Sequence, residues 1–150
     1  MASRAWLVSG TLVMLVLSFS ALAALGGDLA SVQADQTRMN ATLRAVAAQM
    51  YTQYEIQLPS GTVVREYVSP TGTVFAVAWE GPLLPDLQQL MGSYFEQYVK
   101  AVQTQAGGAG PRVIQLPGLV VYAGGHMRAF LGKAYVPQML PQGVTPEQLQ

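Results

Sequence analysis

The 150-residue chain has no cysteine, one histidine and few charges, which make up 11% of its residues. Without cysteine there are no disulfides and no thiolate metal sites, so the folded part must be held by packing alone. His126 is the single histidine. Zinc sites built from several His or Cys ligands cannot be assembled, and any histidine-dependent mechanism must run through this one residue. None of Ser31, Ser60, Ser69 and Ser93 lies in a G-x-S-x-G elbow, which argues against a serine hydrolase. P-loop, G-x-G-x-x-G and calcium-loop patterns are missing as well, and no cofactor is expected. Asp28, Asp35, Glu55, Glu66, Glu80 and Asp86 are dispersed through different segments. Only a carboxyl pair brought together in space, as in glycosidases, is left open by that distribution. Eight Lys and Arg balance eight Asp and Glu, so no basic face announces a nucleic-acid partner.

What is present begins with an apolar leader. Arg4 is the sole charge before the run Trp6 to Leu17, and Ala21-Leu22-Ala23 supplies a small-x-small cleavage site. Residues 1–23 therefore read as a secretory signal peptide cut between Ala23 and Ala24. The competing reading is an uncleaved inner-membrane anchor, since Trp6 to Leu25 approaches the length of a membrane span. Ser9, Gly10, Thr11, Ser18 and Ser20 dilute the run, and no basic stop-transfer flank follows, which favours cleavage. Residues 24–150 are long enough for one domain with its own core, and no membrane contact is expected after cleavage.

Asp28 is a good N-cap, and Leu29, Val32, Gln36, Met39, Leu43, Val46 and Met50 follow at three- and four-residue steps. The spacing predicts one long helix to Met50, packed on the protein's own sheet rather than in a coiled coil, because Gln36 interrupts the seam. The period then changes. Tyr51–Leu58, Thr62–Val68 and Thr73–Trp79 are rich in Val, Tyr, Thr and Phe, and Pro59-Ser60-Gly61 and Ser69-Pro70-Thr71-Gly72 separate them. A three-stranded antiparallel meander is predicted. In its third strand, simple alternation puts Phe75, Val77 and Trp79 on one face and Val74, Ala76 and Ala78 on the other. Arg65 and Glu66 must lie on opposite faces, so one of them needs a partner if its face is covered.

Asp86 and Gln89 form a capping-box pattern ahead of Leu87, Leu90, Met91, Tyr94, Tyr98 and Val102, a second helix whose apolar stripe is read as core. Gly107-Gly108-Ala109-Gly110-Pro111 ends it. Strands are then predicted at Val113–Leu116 and Leu119–Tyr122, with shorter pieces at His126–Leu131 and Ala134–Val136. The fold class is thus α+β, an antiparallel sheet of about five strands against two helices. Residues 24–136 form the domain, and 137–150 are a Pro/Gln-rich extended or disordered tail.

Gly124-Gly125-His126-Met127-Arg128-Ala129-Phe130 is the one segment with candidate site chemistry. Strand alternation would place His126, Arg128 and Phe130 on one face, and Gly124 and Gly125 would expose backbone beside a cationic pair able to hold a carboxylate or phosphate. A surface His126 with Arg128 paired to Glu55, Glu66 or Glu80 explains the same residues.

Several stretches together resemble an exported bacterial family known as domain of unknown function 2844. They are Ala24-Leu25-Gly26-Gly27-Asp28, the run Ser60 to Pro82, Pro85-Asp86-Leu87, and Gly124 to Phe130 continuing to Tyr135-Val136-Pro137. The resemblance implies a cell-envelope, periplasmic location and supplies no activity. The functional expectation is a non-enzymatic binding or interaction module whose partner is an envelope protein or a small ligand. Two alternatives stand beside it: an enzyme or small-anion binder centred on His126 and Arg128, and a structural subunit of an envelope assembly.

Overall fold

The computed structural model describes residues 25–105, 107 and 110–150. The expected leader and its Ala23/Ala24 cut lie outside them. Helix α1 (Leu29–Arg38) starts where the sequence places it: the Asp28 carboxylate accepts from the Ser31 N–H at 3.0 Å. It ends twelve residues short of Met50, because Asn40 takes a left-handed φ of +49° and turns the chain into β1 (Thr42–Ala47). Asn tolerates that conformation better than most residues. Leu43 and Val46 look helical by spacing, but Leu43, Ala45 and Ala47 form one side of a strand.

The meander follows as β2 (Thr52–Gln57), β3 (Val63–Val68) and β4 (Val74–Gly81). The second helix is split into α2 (Leu87–Met91) and α3 (Phe95–Thr104) by a 3-10 turn that begins at Gly92, φ +51°. The last strands are β5 (Arg112–Leu116), β6 (Leu119–His126) and β7 (Ala129–Tyr135). All pair antiparallel in one sheet of order β1-β2-β3-β4-β7-β6-β5. The sheet has seven strands instead of about five. Strand β1 was hidden in the helical stripe, and Gly124-Gly125 and Gly132-Lys133 run through β6 and β7 rather than interrupting them.

The helices cover one face, where Val32, Ile56, Val64, Val77, Trp79, Leu90, Met91, Val121 and Ala134 build the main core. The opposite face carries a smaller cluster of Tyr67, Phe75, Ala76, Ala78, Val120 and Tyr135. Phe75 and Val77 are not on the same face. Tyr67 pairs with Ala76 and Val68 with Val74, so Phe75 is the extra residue of a β-bulge, which moves it and Ala76 to the outer side.

Segment 137–150 is folded onto that outer cluster rather than forming a tail. Short 3-10 turns at Pro137–Met139 and Pro146–Gln148 bring Val144 and Leu149 into the outer cluster, with Leu149 only 1% exposed. The Tyr67 hydroxyl donates to the Gln150 carbonyl at 2.7 Å and accepts from its N–H at 3.0 Å. Burial pushes the Tyr67 phenol up from its usual pKa. Tyr67→Phe leaves both Gln150 groups without that partner, at a cost of about 1 kcal/mol. Faster hydrogen exchange at the Gln150 amide, with the sheet amides unchanged, is the expected result; unchanged exchange at Gln150 would contradict the clasp.

Candidate functional site

The most unusual chemistry lies under α1. Ser31, Val32 and Asp35 recur at helical spacing and form the buried side of this helix. Register places Glu66 of β3 opposite Val77, on the helix-covered face, while Arg65 points the other way. Arg65 meets Glu55 at 3.5 Å and Glu80 at 3.8 Å on the open face. Asp35 and Glu66 are both 0% exposed. Their carboxyls face each other, and the Gln89 carboxamide of α2 donates to Asp35 Oδ1.

Burial pushes the Glu66 carboxyl well above the usual carboxylate range, and the adjacent Asp35 raises it further. Asp35 is also raised by burial, against the lowering effect of its bonds to Gln89 and Glu66 and of the Arg38 charge. As two carboxylates the pair would leave Asp35 Oδ2 and both Glu66 oxygens without a donor. A proton on Glu66 supplies one, bridging to Asp35 and removing a buried charge. Paired carboxyls of this kind perform acid-base chemistry when a substrate reaches them. Here neither is exposed. Gln89 stands on the wall of a surface cleft of about 220 Å³ shared with Arg38, Asp86, Gln88 and Gly92, and itself bonds Asp35. The pair therefore joins α1, β3 and α2 in the core, out of reach of solvent.

A larger cleft, about 300 Å³, opens on the outer face between the sheet and the C-terminal segment. Tyr122, Leu131 and Leu149 give it an apolar lining, with Glu80, Lys133 and Gln150 as its polar groups. Tyr122 and Lys133 are cross-strand partners, and the Lys133 ammonium lies 5.6 Å from the Tyr122 ring centre. That ammonium also donates to the carbonyls of Pro146 at 2.6 Å and Leu149 at 3.1 Å. It thereby clamps the cleft wall to the sheet. An ammonium has three donors, and these two carbonyls take two of them.

The sequence candidates come out differently. His126 closes β6, Met127-Arg128 form the two-residue turn to β7, and the shared face of His126, Arg128 and Phe130 does not form. His126 and Arg128 are exposed, and Met127 is 85% exposed. His126 Nδ1 lies 3.1 Å from the Met127 carbonyl. Arg128 borders a cleft with Glu80, Gly81 and Phe130 that does not include His126. The glycines serve close approach: Gly125 has φ +109°, and a Cβ there would come within 2.1 Å of the Ala129 carbonyl, while one at Gly124 would touch Pro111. Among the described residues no group of three His, Cys, Asp or Glu could hold a metal. Lys133 and the Asp35–Glu66 pair were not singled out as a site from the sequence. The one available signal was the need of either Arg65 or Glu66 for a partner.

A seven-stranded antiparallel sheet covered by helices on one face and strapped by its own C-terminal segment on the other defines an α+β domain with a clamped cleft. The chain belongs to the family described as Protein of unknown function (DUF2844), whose model matches residues 21–149. No curated protein and no solved structure matches it.

Proposed function

We propose that this protein is an exported, non-enzymatic binding module of the cell envelope that takes a small amphipathic ligand in the Lys133 cleft. The observation that carries this reading is the clamped cleft itself. Tyr122, Leu131 and Leu149 offer an apolar bed, and the Lys133 ammonium sits beside it for a carboxylate, sulfonate or similar acceptor. Export rests on the leader pattern of residues 1–23. Among the described residues the buried acid pair has no surface a substrate could touch, which fits binding better than turnover.

Trp6 lies in the leader, so with Trp6→Phe the indole of Trp79 is the only one in the chain. An anionic, apolar probe such as 8-anilinonaphthalene-1-sulfonate is expected to bind saturably with energy transfer from Trp79. Lys133→Met, with the fold checked by circular dichroism, is expected to weaken it tenfold or more. Absence of saturable binding, or affinity indifferent to Lys133→Met, would overturn the proposal.

A further inference from the structure

The two edges of the sheet are not alike, and the difference is readable rung by rung. In an antiparallel ladder, alternate residues turn both N–H and C=O toward one neighbour, and the residues between them turn theirs the other way. The Ala48 N–H donates to the Tyr51 carbonyl at 2.9 Å, in register with β1 and β2. Thr42, Arg44 and Val46 therefore face β2, while Ala41, Leu43, Ala45 and Ala47 face outward. The outward groups of Ala41 are both taken: its N–H donates to the Gln36 carbonyl at 3.0 Å, and its carbonyl accepts from Gln36 Nε2 at 3.1 Å. Among the described residues nothing pairs with Leu43, Ala45 or Ala47. Five of the six β1 residues are exposed.

The β5 edge is blunted. The two-residue turn Pro117-Gly118 closes on Leu116 and Leu119, so Arg112, Ile114 and Leu116 face β6 and Val113 and Gln115 face outward. The Val113 carbonyl is capped by Gln105 Nε2 at 3.0 Å, and Pro111, just before the strand, has no N–H to offer. Natural sheets protect edges by such devices, and an edge without them is a pairing surface.

The geometry points to β1 as the interface of a symmetric dimer, in which two copies of this chain join antiparallel through Leu43, Ala45 and Ala47. The three open rungs are centred on Ala45, so a two-fold axis there sets Ala45 against Ala45 of the second copy and Leu43 against Ala47. Every open rung is then used, and both sheets continue as one. The same register puts Arg44 opposite Val46, which avoids a like-charge contact and lays the arginine stem over an apolar side chain. Sliding by two residues toward Thr42 would oppose Arg44 to itself and bring the capped Ala41 rung into the ladder. A two-residue slide the other way leaves Leu43 beyond the strand's end. Only one register is self-complementary, which is the requirement of an isologous two-fold contact.

Sedimentation of the purified protein at about 100 µM tests this directly, with twice the chain mass expected. Ala45→Pro removes an outward N–H that β2 does not use, so it should return the protein to monomer with its circular dichroism unchanged. Since the chain has no cysteine, Ala45→Cys provides an independent check. Opposed residues of a hydrogen-bonded antiparallel pair stand about 5.5 Å apart at Cα, within disulfide reach, whereas Arg44→Cys would stand more than about 7 Å from its counterpart. Rapid oxidative crosslinking by Ala45→Cys and none by Arg44→Cys is the expected pattern. A monomer at that concentration, a dimer that a folded Ala45→Pro protein retains, or crosslinking through Arg44→Cys alone would each overturn the inference.

Discussion

Glu66→Gln is expected to raise the melting temperature at pH 8 by several degrees, on the order of 2 kcal/mol, and to flatten the pH dependence of stability. The folded protein holds the proton of the Asp35–Glu66 pair more tightly than the unfolded chain does, because burial lifts Glu66 well above the usual range and Asp35 lifts it further. A raised carboxyl contributes its full stability below the unfolded pKa and loses it as pH rises through the folded one. For one linked proton the loss is about 1.4 kcal/mol per pH unit over that window. The protein should therefore be less stable in mild alkali than at pH 4 to 5, as far as this pair decides it. The introduced amide carries no charge to bury, and its NH₂ can donate to Asp35 alongside Gln89. Denaturant midpoints from pH 4 to 9 for both proteins decide the matter. An unchanged slope in Glu66→Gln would mean that the pair is not the linked group.

Trp79→Ala is expected to cost about 3–5 kcal/mol, the usual range for emptying a large aromatic site. Trp79 is the largest of the fully buried side chains and sits directly across from Gly132 of β7. A Cβ on Gly132 would fall 2.3 Å from Cζ2 and 2.6 Å from Cε2 of the indole, and 2.6 Å from the Tyr122 carbonyl. Gly132→Val is therefore destabilising by about 1–3 kcal/mol or more, through overpacking. The double substitution should cost less than the sum of the two. The valine methyls enter space the indole has vacated, though the clash with the Tyr122 backbone limits the recovery. Urea titration of the four proteins measures this coupling. Strict additivity would show that the indole does not occupy the space over Gly132.

Much of the architecture was legible because its signals are local. Pro59-Ser60-Gly61 and Ser69–Gly72 mark turns by their own chemistry, and the β2–β4 meander emerges with boundaries within a residue or two. The Asp28 and Asp86 caps likewise mark true helix starts. The rest is decided by neighbours in space. Leu43, Val46 and Met50 continue a helical stripe by spacing, and only pairing with β2 makes Thr42–Ala47 a strand. The bulge at Phe75 exchanges sheet faces through one extra residue, invisible to an alternation rule. Val144 and Leu149 sit in a Pro/Gln-rich context that reads as unstructured, yet both bury against Tyr67 and its neighbours. The site was harder still. Asp35 and Glu66 are separated by a helix end and two strands, and Lys133 meets Pro146 and Leu149 only after the segment has folded back over the sheet.

Amide chemical-shift mapping during titration with the same anionic probe locates the binding site on the protein. Perturbations are expected to concentrate at Tyr122, Leu131, Gly132, Lys133, Leu149 and Gln150, the residues around the outer cleft. Perturbations centred instead on the His126–Arg128 turn, or on Arg38 and Gln89 above the acid pair, would contradict binding in that cleft.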